Sequence, residues 1–352
     1  MRRQALCLSG YLSQNGTQMS GIDSWSNRRV LVTGAGGFIG SHVVERLVEA
    51  GAQVRALVRY NSRNDHGWLE TLDAAIVSET EVYPGDLANP EAVAAAATDR
   101  QTVLHLGALI PIPYSYRHPR EFVTANVEGT LNVLEAARRH SIERVVHTST
   151  SEVYGTPQTV PIAETHPLHP QSPYAATKVA ADQLALSYHR SFGLPVVVAR
   201  PFNTFGPRQS ARAVIPTILS QALAGDRVEL GATHPTRDFV YVQDTVFGLM
   251  RCGEVSGIEG EVINLGTGKE ISIGELATRI IALADVDPEL VFSSPERLRP
   301  ETSEVERLLA DPSRARRLLG WSAQTDFDDG LRQTLDWLRG AIEYYKPSIY
   351  NV

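Results

Sequence analysis

The segment RRVLVTGAGGFIGSHVVERLVEAGAQVRALVRY, residues 28–60, constrains the fold more than any other stretch. A short apolar run leads into a glycine-rich turn. An amphipathic run follows, with Val43, Val44, Leu47 and Val48 on one helical face, and Gly51 precedes a second apolar run. This pattern predicts strand, turn, helix, strand. Gly34, Gly37 and Gly40 stand at GxxGxxG spacing between the first strand and the helix. Glycine permits a tight turn and close approach of a phosphate to the backbone. The helix N-terminus offers free N–H groups and the positive end of its dipole. With a strand before and a helix after, the spacing predicts a dinucleotide site at Gly34, Gly37, Phe38, Ile39 and Gly40.

The same rhythm recurs downstream. TVLHLGAL, RVVHTST and LPVVVARP read as buried strands, and helical patterns such as NVEGTLNVLEAARRH and PYAATKVAADQLALSYHRSFG lie between them. Alternating strands and helices predict an α/β fold, a Rossmann-type doubly wound parallel sheet covered on both faces. Beyond RPFNTFGPR the segments shorten and carry more Pro, Gly and Arg. The expected organisation is a flexible N-terminal arm over 1–27 and a dinucleotide-binding domain over 28–200. A smaller C-terminal α/β substrate-binding lobe follows over 201–352, with some interleaving back to the first domain. The ligand belongs in the crevice between them.

Bulk properties narrow the partners. The chain has 352 residues and a formal net charge of -7, which argues against nucleic acid and anionic membrane. No apolar run reaches the ~18–20 residues of a membrane span. Cys7 and Cys252 are far apart and lack metal-ligand spacing, so neither a disulfide framework nor a metal is expected. These features point to a cytoplasmic setting.

The end of the second strand bears on the cofactor. An acidic residue there would bond the ribose 2′-hydroxyl of NAD. The chain instead reads LVRYNSRND, with Arg59, Ser62 and Arg63. Guanidinium groups suit a 2′-phosphate, which favours NADP(H); the alternative is NAD held by Asp65 or by backbone groups. Asp86 and Leu87 are placed to line the adenine, and Leu106, Gly107 and Ala108 to pass beneath the nicotinamide ribose.

QSPYAATKVAAD carries the second strong signal. Ser172 can cap and Pro173 suits a first turn. Tyr174 and Lys178 then lie four apart on one helix face. A free tyrosine, with a pKa of ~10, is a poor base. A nearby ammonium and a positive cofactor ring would stabilise its phenolate.

TGAGGFIGSH with YAATK resembles the extended short-chain dehydrogenase/reductases, the nucleotide-sugar epimerases and dehydratases. The resemblance spans nearly all of the chain from residue 28. It implies that Thr150 bonds the substrate's 4-hydroxyl, that Lys178 holds the nicotinamide ribose, and that Asn126 is structural or positions water. It also implies a homodimer built on helices near Asn126 and Tyr174, with a homotetramer as the alternative. The cofactor would be tightly bound and recycled.

Within that family, Thr150-Ser151-Glu152 is similar to the GDP-mannose 4,6-dehydratases. A carboxylate near the sugar can remove the C5 proton once C4 is a ketone, so water can leave across C5–C6. dTDP-glucose enzymes carry an Asp where this chain has Ser151, so Glu152 would serve as base and acid. The arginine-bearing loop after the second strand and RLRPETSEVER also resemble the GDP-mannose enzymes, although two extra residues separate Pro300 from Glu304. YNSRNDHGWLE, IPYSYRHPREFV, FNTFGPRQSARAVIPTI and the terminal YKPSIYNV look like the 4,6-dehydratases of nonulosonic (legionaminic-type) acid pathways, implying GDP-N-acetylglucosamine as substrate. UDP-glucuronate decarboxylases share Thr-Ser-Glu, and simple 4-epimerases share the fold.

A sugar diphosphate needs cations and amide groups. Asn203, Arg208, Arg212, Arg237 and Arg299 are the candidates, with Glu304 at the nucleotide. Residues 111–116 and His118 are placed to line the sugar pocket. His147, inside an apolar strand, reads as a packed core residue.

Overall fold

The structure is a computed structural model and describes residues 24–225, 227–292 and 297–347. Most of the expected N-terminal arm, Cys7 and the last residues of YKPSIYNV lie outside these. Residues 24–27 of the arm are described, and here the expectation needs correction. Trp25 is fully buried and packs against Gly253. A large indole with a core to fill joins the globule, so the folded unit begins before residue 28.

Seven parallel strands form the central sheet: β1 (Arg29–Thr33), β2 (Gln53–Val58), β3 (Thr80–Pro84), β4 (Thr102–His105), β5 (Arg144–Thr148), β6 (Val196–Pro201) and β7 (Val262–Leu265). Their order is β3-β2-β1-β4-β5-β6-β7. The strands read as continuous apolar runs because both faces are covered. Val30 and Val32 enter one core while Leu31 enters the other, and Val197 and Ala199 alternate likewise with Val196 and Val198. Helix α1 (Phe38–Glu49) covers the first face. Helices α2 (Pro90–Ala97), α3 (Gly129–Arg139) and α4 (Pro173–Phe192) belong to the second. Strand order reverses between β1 and β4, which is where such sheets open a crevice.

Local signals start and stop these helices. Ser172 accepts from Ala175 N and Pro173 follows it, while Gly193 ends α4 in the left-handed conformation. Ahead of α3 the helix widens into a π-turn over Val123–Glu128. Asn126, inside that turn, bonds Leu109 N, Leu109 O and Thr177 Oγ1. Its role is structural: it ties the loop after β4 to α4.

The smaller lobe holds α5 (Val214–Ala224), α7 (Ile273–Ala284) and α8 (Phe327–Arg339). Thr236–Arg237 pairs with both Ile271–Ser272 and Arg307–Leu308, and Asn203–Phe205 pairs with Phe239–Tyr241. Rings of Phe205, Phe239, Tyr241 and Phe327 meet edge to face or tilted in its core. Between α5 and α7 the chain returns to the large sheet. Helix α6 (Val242–Glu254) joins α1 on the first face, and β7 closes the β6 edge.

Candidate active site

A cleft of about 1690 Å³ runs along the C-terminal ends of the strands and is lined by both lobes. At one end lies the glycine turn. Gly34 adopts φ +68°, and a Cβ there would stand 2.8 Å from the Gly107 backbone. A Cβ at Gly40 would stand 2.1 Å from Gly34 O, so the helix can begin this close to the turn only with glycine. Helix α1 starts at Gly37 without a side-chain cap. Its first N–H groups therefore face the cleft without a side-chain acceptor, which suits a pyrophosphate. The residues present fit a dinucleotide.

All the expected cofactor residues line this part of the cleft: Gly34, Gly37, Phe38, Ile39, Gly40, Arg59, Ser62, Arg63, Asp86, Leu87, Leu106, Gly107 and Ala108. Residues 59–72 form a strap across the glycine turn. Trp68 N donates to Gly36 O at 3.0 Å, and Trp68 meets Trp337 and Tyr344 edge to face. Asn61 holds the strap's bend by accepting from Arg63 N and Asp65 N. The Asp65 carboxylate accepts from Gly67 N at 2.7 Å. Neither the Arg59 nor the Arg63 side chain has a partner among the described residues.

The centre of the cleft holds the hydroxyl cluster. Thr150 Oγ1 accepts from Glu152 N at 3.2 Å, starting a short 3-10 turn over Ser151–Tyr154. The Tyr174 phenol lies beside the Thr150 hydroxyl. Burial raises the phenol's pKa, and Thr150 opposes that only in part. Lys178 is 3% exposed, and its Nζ donates to Thr148 O at 2.8 Å. Burial lowers its pKa to about 8. Thr150, Ser151, Glu152, Tyr174 and Lys178 thus meet in one place.

Opposite them the substrate lobe presents charges. Buried Arg237 donates to Thr236 O at 2.9 Å and to Glu304 at 3.1 Å. Burial lowers its pKa, while Glu152 and Glu304 oppose the shift. Arg299 lies 3.5 Å from the same Glu304 oxygen. One carboxylate is therefore shared by two guanidinium groups. Tyr116 OH and Ser303 Oγ are 2.6 Å apart, and Ser303 donates to Gln171 O, so the segment ending at Glu304 is latched over the sugar end. Asn203 lines the cleft with an Oδ1 that has no partner among the described residues, and Arg212 lines it too.

Arg208 is the exception. It does not line the cleft but turns to α1, bonding Glu45 and His42 Nδ1, with φ +68°. Its neighbour Pro207 offers its carbonyl to His42 Nε2 at 2.9 Å. Arg208 joins the lobes instead of meeting the substrate, because its backbone turn points the side chain away. His147 is a fully buried core residue, as expected.

Sequence reasoning missed a buried set beneath the cluster. Asp182 is fully buried, binds Arg200 through two nitrogens and lies 3.2 Å from His147 Nε2. Thr33 accepts from Gly107 N and bonds His105 Nδ1 at 2.7 Å; His105 Nε2 reaches Thr130. The available signal was an Asp on the apolar face of YAATKVAAD, four residues after Lys178.

A dinucleotide turn feeding a cleft where a Tyr-x-x-x-Lys helix meets a charged substrate lobe defines a class: the extended short-chain dehydrogenase/reductases that remodel nucleotide sugars. Within it the chain belongs to the family described as GDP-mannose 4,6 dehydratase, whose model matches residues 31–334. It is similar to UDP-glucose 4-epimerase of Mycolicibacterium smegmatis, 36% identical over 318 residues, 88% of this chain and 98% of that protein. It is also similar to dTDP-glucose 4,6-dehydratase of Streptomyces niveus, 32% identical over 329 residues, 91% of this chain and 95% of that protein. Among solved structures it resembles a double mutant of dTDP-glucose 4,6-dehydratase from Streptomyces venezuelae with NAD bound. There the TM-score is 0.82 at 29% identity, covering 91% of this chain and 99% of that one. Among the described residues, no helix is long and apolar enough to cross a membrane, and no group of His, Cys, Asp or Glu could hold a metal ion.

Proposed function

We propose that the chain is a nucleotide-sugar 4,6-dehydratase that uses tightly held NADP(H) and acts on GDP-N-acetylglucosamine or a related NDP-hexose. The observation that carries this reading is Glu152, a carboxylate in the same cleft as Thr150 and Tyr174 and facing Arg237. An epimerase needs hydroxyl, phenol and cofactor but no such base.

When bound, the oxidised nicotinamide supplies the acceptor for the C4 hydride, a positive charge beside Tyr174, and the hydride returned to C6. Thr150 orients the 4-hydroxyl and Tyr174 takes its proton, leaving a 4-ketone. That ketone acidifies C5. Glu152 removes the C5 proton and delivers a proton to the departing 6-hydroxyl, so water leaves across C5–C6. A hydride returned to C6, and a proton delivered to C5 from solvent by way of Glu152 while the one Tyr174 took is released, would complete a 4-keto-6-deoxy sugar with no net oxidation. Arg237 and Arg299 take the diphosphate, with Glu304 between them, and Asn203 offers an acceptor. Arg59 and Arg63, both without side-chain partners among the described residues, support NADP over NAD.

A second reading is a 4-epimerase, favoured by Ser151 where the dTDP-glucose dehydratases carry an acid. The test is incubation with GDP-N-acetylglucosamine and NMR of the product. A 4-keto-6-deoxy product formed without added cofactor supports dehydration. A C4-inverted sugar would establish epimerisation. Pentose and CO2 from UDP-glucuronate would establish a decarboxylase.

A further inference from the structure

The steps above leave the charged set beneath the cleft unused. Asp182 follows Lys178 by one turn of α4, so both side chains lie on the same helix face. That face is fastened to the sheet at two levels. At the upper level Lys178 Nζ donates to Thr148 O, at the end of β5. At the lower level Arg200 of β6 grips Asp182 Oδ2 through Nε (3.1 Å) and Nη2 (2.9 Å), and His147 of β5 stands 3.2 Å from Oδ1. Arg200 Nη1 also donates to Tyr154 OH at 2.9 Å, and Tyr154 donates to Asn264 of β7. A carboxylate at 0% exposure would be costly without such partners.

Among the described residues, the groups facing Lys178 leave it one nearby anion, Asp182. Tyr174 and Asp182 share α4, His105 comes from β4, His147 from β5, and Arg200 reaches it only through Asp182. Both histidines are buried and held neutral. Glu152 lies on the far side, towards Arg237. An ammonium this buried loses its proton unless a charge of opposite sign stays beside it.

We propose that Asp182 is a positioning residue for this site: it docks α4 on β5 and β6 and keeps the Lys178 ammonium charged and bonded to the end of β5. The role rests on the reading of Lys178 as a working member of the cleft, and it extends the active machinery one helical turn below the Tyr-x-x-x-Lys pair.

The experiment compares wild type, Asp182→Asn and Asp182→Glu. Lys178 titrates near 8, so wild-type kcat falls as pH rises through that value. In Asp182→Asn the alkaline limb moves down by about one to three pH units. The KM for the nucleotide sugar stays the same. Asp182→Glu keeps the charge and the wild-type limb. A second readout needs no turnover. A buried lysine with a depressed pKa binds fewer protons folded than unfolded, so stability rises with pH above that pKa. Removing Asp182 opens this window at lower pH, so the Tm gap between wild type and Asp182→Asn narrows as pH rises towards 8. Should Asp182→Asn not fold, Asp182→Asn with Arg200→Gln leaves no unpaired buried guanidinium and carries the same expectation. A Tm gap independent of pH, or a common alkaline limb in the Asn and Glu variants, overturns the proposal. If wild type turns over no nucleotide sugar, the proposed function fails, while the melting comparison still decides the role of Asp182.

Discussion

At the scale of single residues, the proposed dehydratase chemistry turns on Glu152 acting as the C5 base. Glu152→Gln preserves shape and removes the base. Oxidation at C4 then proceeds while elimination slows about 10²–10⁴-fold. Stopped-flow absorbance should show reduced nicotinamide accumulating, and NMR should show little 6-deoxy product; unchanged turnover would sink the role. Arg59 and Arg63 bear on the cofactor in the same way. Replacing both with Ser should weaken NADP about 10–100-fold and leave NAD nearly unchanged, read by titration of the apo protein. Residue-scale features were legible where chemistry and local spacing coincide. The glycines, Tyr174, Lys178 and the Thr150–Glu152 run all line the cleft. Arg208 was not legible, because its partners His42 and Glu45 lie 166 and 163 residues away and a single left-handed backbone angle directs it.

At the scale of elements, the strap over 59–72 shows what periodicity cannot reveal. Its residues follow neither a period of two nor of 3.6, so the sequence suggested only a polar loop with arginines. Its position depends on a ring from the C-terminal helix: Trp68 rests on Trp337 and Tyr344. Each such pair contributes about 0.5–1.5 kcal/mol beyond burial. Trp68→Ala should free the strap from the glycine turn and weaken dinucleotide binding about tenfold. It should lower Tm far less than a core truncation would, because Trp68 is only half-buried. Calorimetric titration alongside a melting curve checks both. Helix ends were the easier case, since Ser172, Pro173 and Gly193 announce α4 in sequence and take those positions in the structure.

At the scale of the whole molecule, three buried histidines make the fold sensitive to acid. His42, at the joint between lobes, is held down to about 3, chiefly by burial and then by Arg208. His105 and His147 are lowered as well, mainly by burial. A group with a depressed folded pKa stabilises above its unfolded value of about 6.5 and loses that contribution as pH falls towards the folded value. Tm should therefore drop steadily from pH 6.5 towards 4. His42→Gln should flatten that slope by one proton's worth, about 1.4 kcal/mol per pH unit. A slope identical to wild type would show that His42 does not carry the joint's acid sensitivity.

The path of the chain also governs its birth on the ribosome. Among the described residues strand β7 pairs only with β6, yet it emerges after α5 and α6 have been made. Until residue 265 is out, β6 offers a row of unpaired backbone groups along an apolar edge, the kind of surface that templates aggregation. A fragment ending at residue 201 keeps that edge open for good. A nascent chain paused within α5 shares the hazard, so synthesis speed across residues 202–265, and chaperone cover of β6, should decide how much of this protein reaches its native form.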